Sequence, residues 1–380
     1  MSRSVVIVAA RRSPVAPRGG ALSRLDLTGL GVPVLKAVLQ DAGPAAAEVT
    51  EVILGNALGA GGNPARLVAL AAGLPDRVSA LTLDRQCCSG LDAVVMAARS
   101  IAAGEATVVV AGGIESFSRA PIRMHRPLQK GDEAVAYDRP AFVADPARDP
   151  DPLQAAARLA ARQGHSRVVQ EQFARASHVR ALAARADGRL ANELVPFPGL
   201  DRDAFTRVLR PEVMQRAAVL AGDADHGLTS ATVAVEADAA AMLVLADEAL
   251  ARAHGWPILC RFRGAALAGG DPVDPALVPR QAMARVLQRL GWQAASLGRV
   301  ELMEAFAVQA LACLSGFGFD SAAVNAGGGA LSRGHPIGAS GAILAVRLVQ
   351  ELRALPTGSR GLAAIAAVGG LATAMALETA

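Results

Sequence analysis

The sequence predicts an α/β fold built from two similar halves, and three observations carry that expectation. Short apolar runs at 5–8, 49–54 and 107–113 alternate with stretches whose apolar residues recur at helical spacing, the pattern of a parallel sheet with helices on both faces. The unit of Cys87, helix, strand and Ala111-Gly112-Gly113 returns in the last third as His335, helix, strand and Val368-Gly369-Gly370. Between the halves, residues 118–152 turn rich in Arg, Pro and Asp and lose periodicity, which marks an excursion from the sheet.

Taken in order, residues 5–9 read as a buried strand broken at Arg11-Arg12-Ser13-Pro14. A helix over 26–42 follows, with Leu27, Leu30, Val34, Leu35, Val38 and Leu39 on one face and Gly43-Pro44 as its stop. The strand 49–54 ends at Gly55-Asn56, residues 59–64 form a glycine-rich turn that matches no phosphate-loop spacing, and 65–73 read as helix. A β-favouring run at 80–83 leads into Cys87 and a helix, after which the strand 107–113 ends in paired glycines. Residues 153–190 read as charged helix, 196–211 as irregular, and 229–250 as strand and helix. The second half shows a strand near 258–262, a helix around 279–290, a strand or turn at 300–303 and a strand ending over 323–329. A helix then opens at Gly334-His335-Pro336-Ile337-Gly338, and apolar strands at 362–368 and up to Leu377 close the chain.

Composition narrows the function. The 380 residues, enough for two or three domains, are 52% hydrophobic and only 3% aromatic, which leaves no stacking platform for nucleic acid. A net charge of +4 rests on dispersed arginines, the lysines being Lys36 and Lys130, and no basic block reads as a nucleic-acid or membrane patch. No apolar run reaches the roughly 18 residues that span a bilayer, and the first residues lack the pattern of a signal peptide, so a cytoplasmic location is expected. Cys87, Cys88, Cys260 and Cys313 show neither CxxC nor an even framework; no metal site and no disulfide scaffold are expected.

The chemistry centres on Cys87. A strand-turn-helix setting puts it at a helix N-terminus, where the dipole and unpaired N–H groups are expected to push a thiol toward thiolate. If the two halves face one another across a pseudo-twofold axis, His335 at the matching helix start comes beside it. A thiol that attacks a thioester or carbonyl needs a proton acceptor, and an imidazole is the usual one near neutral pH.

Several ordered motifs now carry a resemblance nearly from end to end. The opening Val5-Val6-Ile7-Val8-Ala9-Ala10-Arg11-Arg12-Ser13-Pro14, the loop Gly62-Asn63-Pro64-Ala65-Arg66, Cys87-Cys88-Ser89-Gly90-Leu91, Ala111-Gly112-Gly113-Ile114-Glu115-Ser116 and Gly334-His335-Pro336-Ile337-Gly338-Ala339-Ser340-Gly341-Ala342 resemble those of the thiolase family. The resemblance implies a thiolase-like α/β fold of two similar βαβ-type halves with mixed sheets. Residues 1–117 plus 237–256 would form the N-terminal half, 118–236 an inserted loop domain, and 257–380 the C-terminal half. It implies a homodimer or homotetramer, and acyl transfer between coenzyme A thioesters with Cys87 acylated and His335 taking its proton. Coenzyme A enters as the substrate's thioester, with no permanently bound cofactor. The oxyanion of the acyl-enzyme would meet backbone N–H groups at Cys87 and Val368.

Four positions depart from the family pattern. Met303 stands where an asparagine holds a water for the second substrate's thioester oxygen, and a thioether has no N–H to give. Ala366 stands where a cysteine moves the proton at the reacting carbon, and Ala234 where a serine lies near the pantetheine arm. Loss of an oxyanion donor costs about 10²–10³ in rate and loss of acid–base help about 10²–10⁴. Glu304, Cys88 and His125 are candidate substitutes. At Val368 the family has glycine, so a valine there is expected to narrow the pocket and to be barred from glycine-only torsions. The leading expectation is a thiolase-type acyltransferase that keeps its first half-reaction and uses an unusual acceptor. An ordinary acetyl-CoA acetyltransferase or 3-ketoacyl-CoA thiolase with a replaced base, and a non-catalytic binding or scaffold protein, are the alternatives.

Overall fold

A computed structural model describes residues 3–59 and 61–380. The N-terminal strands are β1 (Val5–Arg12), β2 (Glu51–Gly55), β3 (Ser79–Leu83), β4 (Val108–Ser116) and β5 (Ala237–Asp247). The C-terminal ones are β6 (Cys260–Gly269), β7 (Arg299–Leu302), β8 (Arg360–Ala367) and β9 (Leu371–Thr379). All nine join in one sheet in the order β7-β8-β9-β6-β1-β5-β4-β2-β3, and Ala16–Pro17 adds a short tenth strand beside β5. The halves meet edge to edge at β1 and β6, with Val5 opposite Phe262 and Ile7 opposite Cys260. Counted outward from that seam, β1-β5-β4-β2 matches β6-β9-β8-β7, with β3 an additional strand at the N-terminal edge, so the repeated unit legible in the sequence is real in space.

Among the described residues, the helices of eight residues or more are α1 (Leu27–Ala42), α2 (Pro64–Ala71), α3 (Ser89–Ala103), α4 (Pro152–Gln163), α5 (Arg167–Ala186), α6 (Val278–Leu290), α7 (Ala307–Leu314) and α8 (Ile337–Leu352). Helices α3 and α8 are buried on nearly every face and share one apolar cluster with β1, β4, β5, β8 and β9. A helix apolar all round belongs in a core, and here the curved sheet closes over the pair from both halves. Helices α1 and α2 cover the outer face of the N-terminal half, and α6 with α7 that of the C-terminal half. Five layers result: helix, sheet, helix, sheet, helix.

The parallel sheet expected from the alternation of strands and helices is corrected, and the sheet is mixed, as the family resemblance implies. Only the β2–β3, β2–β4 and β7–β8 pairs are parallel, while β1–β5, β1–β6, β4–β5, β6–β9 and β8–β9 are antiparallel. Alternation of strands and helices along the chain does not fix which strands become neighbours; β5 returns between β1 and β4 after the whole excursion of 118–236. Residues 323–329 form a turn rather than a strand, pinned by a single bridge from Val324 to Val300 and by Asn325 at φ 44°. The charged helical stretch is two helices, because Gly164 at φ 68° ends α4 and Ser166 caps α5. Strand β4 does not stop at its glycines but runs through them to Ser116. Residues 118–236 hold α4, α5, two small hairpins and long connections laid over one end of the sheet, and Glu193 and Asp203 anchor them to β1 through Arg12 at 2.8 and 2.7 Å.

Candidate active site

The two halves deliver one reactive group each. After β3, Gln86 takes φ 55°, a value that few residues other than glycine adopt, and this turns Cys87 toward the space between the halves. Ser89 holds the turn by accepting the Arg85 N–H at 2.8 Å and donating to the Gln86 carbonyl at 2.6 Å. From the other half, the His335 N–H bonds the Val235 carbonyl at 2.8 Å and sets the residue just before α8. Gly113 in β4 permits the approach of that helix, since a Cβ there would stand 2.1 Å from the Gly338 carbonyl oxygen. The Glu115 carboxylate, fully buried, ties the pieces together by accepting the N–H groups of Gly338 at 2.8 Å and Ala57 at 3.0 Å and the Asn56 amide at 2.7 Å.

His335 Nε2 lies 3.2 Å from Cys87 Sγ. Its Nδ1 lies 2.7 Å from Ser340 Oγ, which donates its own proton to the Pro336 carbonyl at 2.9 Å. A hydroxyl that has spent its proton can only accept from the ring, so Nδ1 carries the hydrogen and Nε2 presents a lone pair to the thiol. The backbone N–H groups of Cys87 and Val368 both act on the sulfur and favour its ionised form. Burial outweighs them and, with Glu115 and Asp84 nearby, pushes the thiol up to about 12. The expected shift toward thiolate is therefore corrected: desolvation exceeds the help of the helix start. Burial likewise holds His335 down at about 4. The resting pair is thiol and imidazole, both neutral.

Around the pair opens a pocket of about 330 Å³ whose wall includes Phe117, Phe142, Phe306 and Ile337. Ala366, Val368 and Ala234 line it too. Val368 keeps an ordinary φ, and the left-handed turn after β8 falls on Gly369 and Gly370 at 77° and 75°, so valine meets no torsional bar there. Met303 is buried at 2% exposure in the central apolar cluster and is no part of the pocket wall.

None of the three candidate substitutes reaches the pocket. Glu304 is fully buried behind it, accepting from Asn325 at 2.6 Å, Ser177 at 2.7 Å and the Leu331 N–H at 3.2 Å. Its place is that of a structural carboxylate, with burial raising its carboxyl above the ordinary range. Cys88 points into the core toward the Ile365 carbonyl at 3.6 Å, because the side chain after Cys87 falls on the opposite side of the turn. His125 sits on an exposed hairpin, stacked on Tyr137 at 4.4 Å. Sequence reasoning missed Ser340 and the bracing role of Glu115. The first was legible as a hydroxyl one helical turn past Pro336; the second was not, since its partners come from two distant segments, residues 56–58 and the start of α8.

Comparison with known proteins identifies the family. Residues 5–249 match the family model for the thiolase N-terminal domain and 256–379 that for the thiolase C-terminal domain. An acetyl-CoA acetyltransferase of Thiocystis violacea is 36% identical over 402 aligned positions, covering 100% of both chains. A probable acetyl-CoA acetyltransferase of Escherichia coli is 37% identical and covers 99% of each. Among solved structures, human mitochondrial 3-ketoacyl-CoA thiolase in complex with CoA superposes with TM-score 0.93 at 29% identity, covering 100% of this chain and 98% of that one. The acetyl-CoA acetyltransferase of Bacillus anthracis gives 0.93 at 32% identity, with 100% and 99% covered.

Proposed function

The chain belongs to the thiolase family and is an acyltransferase acting on acyl-CoA; on that premise we propose that the acyl group travels on Cys87, with His335 as the base. The observation that carries this reading is the 3.2 Å contact between His335 Nε2 and Cys87 Sγ, with the ring tautomer fixed by Ser340. In the first half-reaction the thiol proton passes to Nε2 as Sγ bonds the thioester carbonyl carbon. Charge gathers on the carbonyl oxygen, for which the N–H groups of Cys87 and Val368 are the proposed donors. The bond to the coenzyme A sulfur then breaks, and that sulfur leaves with the proton held by His335. Coenzyme A comes and goes as substrate, and no resident cofactor takes part.

For the second half-reaction we propose an acceptor whose attacking atom needs no cysteine-assisted removal of a carbon-bound proton: a hydroxyl, an amine or an already activated carbon. Support comes from the methyl group of Ala366 on the pocket wall and from Glu304, Cys88 and His125 all lying elsewhere. The relatives named acetyl-CoA acetyltransferase favour the ordinary thiolase, whose second base would have to be a group other than Glu304, Cys88 and His125. Ala234 lines the pocket without a hydroxyl to offer the pantetheine arm.

We place this activity in a homo-oligomer, dimer or tetramer. Strand β3 ends the sheet with a half-exposed edge, and Leu67, Leu70 and Met96 beside it are 60%, 40% and 45% exposed. A cytoplasmic setting is in keeping with four free cysteines, and among the described residues no helix is long and apolar enough to cross a membrane. The division into 1–117 plus 237–256, 118–236 and 257–380 is proposed as the domain plan. The test is the stoichiometry of free coenzyme A released on mixing with acetyl-CoA and longer acyl-CoAs. The reading predicts a burst of one thiol per chain that Cys87→Ser abolishes; no burst with any donor, in folded protein, overturns it.

A further inference from the structure

A pocket this apolar seldom holds a cation with nothing to neutralise it. Arg123 is half-buried in its wall; its Nη2 donates to the Ala57 carbonyl at 3.2 Å, and among the described residues no carboxylate stands within ion-pair distance of it. The other charged groups of the wall are committed or outlying. Arg139 pairs with Asp149 at 3.2 Å and lies over the Phe142 ring at 4.9 Å, Glu236 pairs with Arg18 at 2.9 Å, and Asp138 is exposed at the rim. Arg123 thus keeps most of its five N–H donors unspent, in a fork that matches a carboxylate.

Its position is fixed by the same frame that sets the base. The Ala57 N–H that neighbours its anchor bonds Glu115, and Glu115 also holds the Gly338 N–H in the first turn after His335. The Arg123 carbonyl accepts the Tyr137 N–H at 3.0 Å, which pins the backbone at the base of the hairpin. Phe117, Pro140, Phe142 and Ile337 also line the pocket and suit it to methylene groups.

We propose that Arg123 receives a carboxylate at the far end of the acyl group, so that the donor is the coenzyme A monothioester of a dicarboxylic acid. The proposal rests on acylation at Cys87. Sγ bonds the thioester carbon, the bond to coenzyme A breaks, the thiol proton leaves with coenzyme A through His335, and the distal carboxylate keeps its charge throughout. Coenzyme A's own phosphates share this anionic chemistry, and the experiment separates the two.

The measurement is kcat/KM for acylation of Cys87, followed by intact mass and coenzyme A release, with succinyl- and glutaryl-CoA against butyryl- and valeryl-CoA. Each pair differs mainly in the terminal carboxylate and carries the same coenzyme A. The expected result is that the native chain prefers the dicarboxylic donors and that Arg123→Gln lowers the glutaryl-to-valeryl ratio about 10–100-fold, with Arg123→Lys recovering part of it. Acylation by valeryl-CoA reports that each variant is folded. An unaltered ratio in Arg123→Gln, including an equal fall for both donors as loss of a phosphate contact would give, overturns the proposal, as does absence of preference in the native chain. Failure of all four donors to acylate Cys87 instead overturns the function proposed above.

Discussion

Ser340 decides what His335 can do. With its hydroxyl proton committed to the Pro336 carbonyl, it must accept from Nδ1, and the lone pair of Nε2 is left facing the thiol. Ser340→Ala removes that constraint and the bond that would stabilise the charged ring; acylation should slow about 10–100-fold with KM little changed, because the serine is outside the pocket wall. His335→Ala should cost about 10²–10⁴. The pH dependence follows from burial. The imidazole is held at about 4, below its ordinary 6.5, so it stays a neutral base as pH falls from neutrality until it nears that value. The acylation rate is expected to be level between about pH 6 and pH 8; a step centred near 6.5, read from the coenzyme A release rate, would contradict it. The unfolded chain takes up that proton first, so the contribution of His335 to stability is full above its ordinary pKa and declines as pH falls through 6.5 toward 4. Cys87 and His335 were both legible in the sequence from their helix-start settings. Their protonation states were not, since desolvation is a property of the assembled core.

At the scale of elements, the site depends on how closely β4 passes beneath the start of α8. Gly113 makes that approach, and a methyl group there would overlap the Gly338 carbonyl. Gly113→Ala should cost about 1–3 kcal/mol of stability and, by shifting the first turn of α8, slow acylation as well; a thermal melt beside the coenzyme A release assay checks both. Glu115→Ala strands the N–H groups of Ala57 and Gly338 in the interior and should destabilise the chain by about 1–3 kcal/mol. Strands and helices with clear periodicity were legible, β1, α1, α3 and α8 among them. The turn at 323–329 was not, because an apolar run ending in glycines fits a strand end as well as the bridged turn that Asn325 makes with Leu302 at 2.8 and 2.9 Å. The antiparallel pairs, implied by the family resemblance, were hidden from periodicity for a different reason: β5 follows β4 in space only after a long excursion that periodicity cannot weigh.

At the scale of the whole molecule, neither half holds a site alone. The thiol comes from the β3–α3 junction and the base from the start of α8, and a buried ionic network keeps the parts in register. Glu193 of the excursion accepts from Arg12 of β1 at 2.8 Å and from Arg347 of α8 at 2.5 Å, while Asp203 takes the other edge of Arg12 at 2.7 Å. Removing one partner leaves buried charges uncompensated, so Glu193→Ala should cost about 3–5 kcal/mol, measured by denaturant unfolding. The repeat in the sequence foretold two matching halves; the network that joins them, drawn from residues 12, 193, 203 and 347, has no local signature. The central claim, that the two halves combine to make one nucleophile, is tested most directly by intact mass after brief exposure to acyl-CoA donors, in the native chain beside Cys87→Ser and His335→Ala. The account predicts one added acyl group in the native chain, none in Cys87→Ser, and accumulation slowed about 10²–10⁴-fold in His335→Ala. An adduct that survives in Cys87→Ser, or that forms at the native rate without His335, would contradict it.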